Sequence, residues 1–279
     1  MMELTKTCRI FRDLGIGAIA FLLLVLAAPV AAHAGEIVVA AAADLTFAFK
    51  DVAARFQRET GNPIKLSYGS SGNFLSQIEN GAPYDMFFSA DVAYPKKLEA
   101  AGLVESGTLY EYATGKLVIW VPAKSNLDVT QGLKALLDPG ISKIAIANPE
   151  HAPYGAAAVA ALRHERIYDR VKSKLVMGEN ISQTAQFVQS GNADAGLLAL
   201  SLALAPAMKD TGRYIEVPSA DYPPIIQAAV ILKSARNKAI AKRFLKFLKE
   251  PATVALMRRY GFVLPSEIAG VHANPSAPN

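Results

Sequence analysis

Between Glu36 and Leu103 the chain repeats one pattern, and that pattern restricts the folds open to it more than any other feature. An apolar run, EIVVAAAADL over 36–45, precedes the amphipathic stretch TFAFKDVAARFQRETG over 46–61. In that stretch Phe49, Val52, Ala53 and Phe56 share one helical face, and Gly61 is a stop signal. A short alternating run, Ile64–Tyr68, follows, with a helical segment from about Asn73 to Asn80. Next come the strand-like YDMFFSA (84–90) and the helical AYPKKLEAAGL, with Pro95 near its first turn. Strand, helix, strand, helix, strand predicts an α/β class: a mainly parallel sheet with helices on its faces.

A second series begins at KLVIWVP (116–122), closed by Pro122. It continues through a short helix GLKALLDPG, the strand KIAIANP (143–149) and the Ala-rich helix over 155–171. The strand SKLVMG, the helix ISQTAQFVQSGN and a buried strand AGLLALSLAL complete it. The chain then returns with QAAVILK (227–233) and two helices, KAIAKRFLKFLKE and PATVALMRRYGF. The expected organisation is two lobes joined by two crossings, with a cleft between them. Residues 35–113 and 220–265 form lobe 1 and residues 114–219 form lobe 2. The polar, Pro-rich residues 266–279 are expected to be a flexible tail.

The first 34 residues read as a cleavable signal peptide. Lys6, Arg9 and Arg12 give a basic start, Leu14 to Ala32 an apolar run, and Ala32-His33-Ala34 a cleavage pattern. The only cysteine, Cys8, lies inside this leader. An exported chain without a disulfide points to the periplasm. Of 29 basic and 24 acidic residues the leader holds three and two, so the remainder carries a net charge of +4. No block of Lys or Arg follows. KRFLKFLKE alternates its charges with an apolar face, the pattern of a solvated amphipathic helix rather than a nucleic-acid patch.

In doubly wound sheets, ligands sit outside the carboxyl ends of the strands. Four loops therefore matter: Asp44-Leu45, Ser70-Ser71, Asn148 to Tyr154, and Gly178 to Ile181, which includes Asn180. Each ends at a helix start, where unpaired N–H groups and the helix dipole favour an anion. Ser70-Ser71-Gly72-Asn73 can be read as an ordinary helix cap, although a cap needs one serine and two are present. No Arg or Lys lies in these loops, so an anion would be held by hydroxyls and amides. Catalysis is not expected. His151 beside Glu150 lacks a second ligand at metal spacing, YGSSGN has Asn73 where a nucleophile elbow needs glycine, and no nucleotide-binding glycine loop is present. A periplasmic hydrolase using Ser71, with His151 reaching from the other lobe as base, is the alternative from another class.

Four segments, AAADLTFAFKDVAARFQRETG, YGSSGNFLSQIENGAPYDMFFSAD, IANPEHAPYGAAA and RRYGF, resemble the periplasmic molybdate-binding proteins of ABC importers. The resemblance runs in order over nearly the whole chain after the leader. It implies a two-lobed type II periplasmic binding protein fold, each lobe a mainly parallel sheet flanked by helices. It implies capture of a tetrahedral oxyanion, molybdate or tungstate, without a counter-charge and with no further cofactor. It also implies a monomer that docks on the permease and ATPase of an importer. The family's site positions fall on Asp44, Ser71, Tyr154 and Ile181, with Leu45, Ser70 and Asn180 beside them. Sulfate, thiosulfate or a small organic acid are the alternative ligands. Two positions depart from the family. Ala199 stands where a tyrosine is common, and Tyr154 is expected to supply that hydroxyl from a neighbouring loop. Asp44 would repel a dianion, so it is expected to turn away and cap the following helix while its own amide or that of Leu45 binds. A carboxylate facing the pocket would put the anion assignment in question.

Overall fold

The structure is a computed structural model describing residues 35–264. The expected signal peptide (1–34) and tail (266–279) lie outside the described residues. The first sheet joins β1 (Ile37–Ala42), β2 (Ile64–Gly69), β3 (Met86–Ser89), β4 (Tyr110–Gly115) and β10 (Ile225–Ile231) in the order β2-β1-β3-β10-β4. The second joins β5 (Leu117–Pro122), β6 (Ile144–Ala147), β7 (Leu175–Gly178), β8 (Ala195–Ala199) and β9 (Gly212–Glu216) in the order β7-β6-β8-β5-β9. Three strands in each sheet pair in parallel, while β10 and β5 run against their neighbours. Both opposed strands are the ones that enter a lobe after a crossing. A strand entering from the cleft must run away from it, whereas the parallel strands run toward it.

The expected elements form where apolar periodicity is strong. β1 is buried almost throughout, as suits a central strand covered on both faces. α1 (Thr46–Thr60) buries Phe49, Val52, Ala53 and Phe56, and Gly61 ends it at φ 74° with its N–H on the Gln57 carbonyl at 2.8 Å. α2 (Ser71–Glu79) and α3 (Ala93–Ala100) complete the units of the first lobe. In the second lobe, α4 (Pro153–His164), α5 (Tyr168–Val171) and α6 (Ile181–Gln189) follow β6 and β7. The segment over 129–137 is 3₁₀ rather than α, broken at Gly132 with φ 62°.

Several expectations needed revision. The single helix expected over 155–171 is two, α4 and α5, parted where Arg166 adopts φ 57°. Strands β4 and β9 were not anticipated; both are short and partly exposed, and lack a long apolar run. The strand expected over AGLLALSLAL stops at Ala199, and α7 (Leu200–Ala203) begins there. β1 stops at Ala42, and a 3₁₀ turn over Ala43–Leu45 carries Asp44.

The chain's return is fastened by aromatic packing. Phe244 of α8 (Lys238–Phe247) sits edge-on to Phe56 at 5.2 Å, Phe88 at 5.8 Å and Phe49 at 6.1 Å. All four rings are fully buried. α9 (Pro251–Arg259) packs beside α1, with Arg55 reaching Thr253 at 2.5 Å and Glu250 at 3.1 Å. No described helix is long and apolar enough to cross a membrane. Because Phe244 ties the last helices to strands early in the sequence, Phe244→Ala should cost about 3–5 kcal/mol in urea unfolding. A loss under about 1 kcal/mol would show that the cluster is not the tie.

Candidate functional site

The carboxyl ends of the parallel strands meet between the sheets. A small cavity there is lined by Asp44, Ser70, Ser71, Tyr154 and Ile181, among others, and by no Lys, Arg or His. Five of the seven residues expected at the site are thus brought together. Leu45 and Asn180 are not among them. Leu45 is wholly buried in the lobe 1 core, as an apolar side chain at the start of an amphipathic helix must be. Asn180 is the N-cap of α6: its Oδ1 accepts the N–H groups of Ser182 at 3.0 Å and Gln183 at 3.1 Å. That cap leaves the amide of Ile181, a residue of the cavity lining, outside its bonds.

Neither serine of the YGSSGN loop caps its helix. Ser70 occupies the N-cap position without a side-chain cap bond. Its Oγ lies 3.0 Å from His151 Nδ1, across the cleft. Ser71 Oγ accepts the Ala90 N–H at 3.0 Å, which leaves its own hydroxyl proton free to donate. The pairing of His151 with Ser71 that the alternative hydrolase reading requires is not formed; His151 faces Ser70 instead. The glycine that follows has a steric purpose. The Gly72 N–H donates to the His151 carbonyl at 2.9 Å, and a Cβ at 72 would lie 2.8 Å from that oxygen. Asn73 completes this seam by bonding Glu179 Oε1 at 2.5 Å.

Asp44 departs from expectation. Its side chain caps neither the 3₁₀ turn nor α1. With β1 ending at Ala42, the turn displaces the start of α1, and Leu45 becomes its N-cap. Asp44 is therefore one residue too early to cap, and it is buried, 1 % exposed, among the residues that line the cavity. Oδ2 accepts from Gln227 Nε2 at 2.6 Å and from the Tyr154 hydroxyl at 3.2 Å. Gln227 Nε2 also lies 3.2 Å from the Tyr154 oxygen, and Tyr112 donates to Gln227 Oε1 at 2.8 Å. Oδ1 is buried with no hydrogen-bond partner. From the second lobe, Ser201 donates to the Asp44 carbonyl at 2.7 Å. The Tyr154 hydroxyl, expected to stand in for the one missing at Ala199, is paired with Asp44.

Gln227, Tyr112 and Ser201 were not foreseen. Gln227 had a visible signal: it is the polar residue inside the apolar strand IIQAAVI, and a fully buried amide needs partners. Tyr112 and Ser201 lay in segments whose secondary structure was misread or unassigned. Away from the cavity, His164, Glu165 and Asp221 bring potential metal-ligating atoms within 4.8 Å of one another. They form a surface cluster in which His164 Nδ1 lies 3.2 Å from Asp221 Oδ1.

Burial raises the Asp44 carboxyl from 3.8 to about 6, against the lowering effect of the bonds from Gln227, Tyr154 and its own backbone. The Tyr154 and Tyr112 hydroxyls are pushed well above 10, by burial first and by Asp44 second. A carboxyl whose folded value exceeds its unfolded one stabilises the fold fully below about 4, and that contribution is lost as pH rises to about 6. Between those limits the wild type should lose on the order of 2–3 kcal/mol relative to Asp44→Asn, measured by unfolding at each pH. Parallel pH curves for the two proteins would contradict the assignment.

Residues 37–263 match the bacterial extracellular solute-binding protein family. The molybdate-binding protein ModA of Rhodobacter capsulatus is 40 % identical over 242 residues, covering 87 % of this chain and 94 % of that protein. A Bacillus subtilis protein named as an ABC transporter substrate-binding lipoprotein, YvgL, is 30 % identical over 80 % of this chain and 85 % of its own length. The solved Azotobacter vinelandii periplasmic molybdate-binding protein superposes with a TM-score of 0.79 at 39 % identity, over 82 % of this chain and 100 % of that one. The two five-stranded sheets, the double crossing and the cleft have the type II periplasmic binding protein architecture, and the chain belongs to the bacterial extracellular solute-binding proteins, in the family of the molybdate-binding ModA proteins.

Proposed function

We propose that the protein captures a tetrahedral oxyanion, molybdate and also tungstate, in the periplasm. It then delivers the ion, as a monomer, to the membrane permease and ATPase of an ABC importer. The observation that carries this reading is the cavity itself. Helix starts from both lobes and the Ser71 hydroxyl meet there, and no cation lines it. Burying an anion is costly unless its oxygens are hydrogen-bonded, and fixed amides and hydroxyls provide donors without a mobile counter-charge. Such a cage selects by size, because a smaller oxyanion leaves some donors unpaired. The names of the relatives support molybdate as the ligand, an importer as the destination and the periplasm as the compartment.

Ser71 is the side-chain donor whose proton no protein group takes up, and Ile181 offers a main-chain one. Ser71→Ala should weaken molybdate binding by about 1–3 kcal/mol in calorimetry; an unchanged affinity would remove Ser71 from the site. A thermal-shift panel of molybdate, tungstate, sulfate, phosphate and chromate tests the ligand class. Molybdate and tungstate should raise the melting temperature most. Stabilisation by sulfate or phosphate alone would overturn the reading.

A further inference from the structure

Asp44 is the part of the cavity that the oxyanion reading leaves unexplained. A carboxylate and a dianion sharing one dry space repel each other, and desolvation strengthens that repulsion. Yet Asp44 is held in place from several sides. Gln227 of β10 and Tyr154 of α4 both donate to Oδ2, and Tyr112 of β4 orients the Gln227 amide from behind. Ser201 of α7 holds the Asp44 main chain. These bonds occupy one carboxyl oxygen and leave the other, Oδ1, buried and unpartnered, on a residue that lines the cavity.

We propose that Asp44 is protonated in the loaded state, so that each oxyanion is captured together with one proton shared between Asp44 Oδ1 and an anion oxygen. This rests on the oxyanion reading above. The proton comes from a hydronium ion or buffer acid in solvent: one bond to hydrogen breaks there, one O–H forms at Asp44, and no other covalent bond changes. With that proton in place Oδ1 becomes a donor, the repulsion is removed, and the orphaned oxygen gains a partner.

The groups around Asp44 leave the proton as the available compensation. The titratable side chains packed against it are Tyr112 from β4 and Tyr154 from α4, and burial keeps both neutral. Ser70 before α2, Ser71 at its start and Ile181 of α6 line the same space without charge. His151 bonds Ser70 through Nδ1, and its Nε2 lies 3.7 Å from Glu179. No Lys or Arg contributes to the Asp44 shift. Burial has already lifted this carboxyl to about 6, and a dianion sharing the same dry space raises it far enough to hold the proton through pH 8.

The test is calorimetric titration of the purified protein with molybdate at pH 6, 7 and 8, each in two buffers of different ionisation enthalpy. The buffer difference counts protons taken up. The expected result is an uptake that grows with pH toward about one proton per molybdate at pH 8, with affinity weakening up to about tenfold between pH 7 and 8. Asp44→Asn, whose amide donates without titrating, should bind with no uptake and a flat affinity over that range. Molybdate binding by the wild type with no proton uptake at pH 8 would overturn this inference and leave the oxyanion reading standing. Uptake that persists in Asp44→Asn would also overturn it. Failure of molybdate and every other oxyanion of the panel to bind at any of these pH values would overturn both.

Discussion

The hydrogen bond from Gln227 to Asp44 is the interaction on which the rest of the site depends. It is short, buried and flanked by Tyr112 and Tyr154, so four side chains from both lobes form one polar knot. Such a network stabilises only when its members are satisfied, and here one atom of one member is not. The knot lies beside the first crossing. Gly115, the last residue of β4, has no side chain because the Tyr154 hydroxyl occupies the space a Cβ would need. The position of the ligand wall and the path of the crossing are therefore set by the same contact.

On the oxyanion reading, main-chain geometry takes the place of formal charge in the cavity. The β/α units bring helix starts to the cleft because parallel strands run toward it and their loops turn there. Asn180 illustrates the division of labour. Its side chain satisfies the Ser182 and Gln183 amides of α6 and leaves out that of Ile181, a residue of the cavity lining. Ser71 does the same for lobe 1 by accepting from Ala90 and keeping its proton for another acceptor.

Most of the architecture was legible because it rests on periodicity. The runs around Val39, Trp120, Ile146 and Leu197 are buried strands, and the Phe49–Phe56 face is a buried helix face, as expected. What could not be read were elements without such a signal. YEYATG and GRYIE form strands only because a neighbour offers its edge, β10 to β4 and β5 to β9. The orientation of Asp44 depended on a three-residue turn whose sequence, ADL, carries no turn signature. A cap forms or fails on a shift of one residue, which is finer than sequence reading resolves. Gln227 could have been found, since an amide in an apolar strand asks what it bonds.

The seam at Gly72 has a kinetic meaning. Its bond to His151 runs from main chain to main chain, so it does not depend on which side chain residue 151 carries. It does depend on residue 72 carrying none. Because this bond makes no use of the cavity contents, it ties the two loops together whether or not the cavity is filled. On the oxyanion reading proposed above, the residence time of the ion would then be set partly outside the cage, at a peptide group that substitutions of the cage itself do not reach.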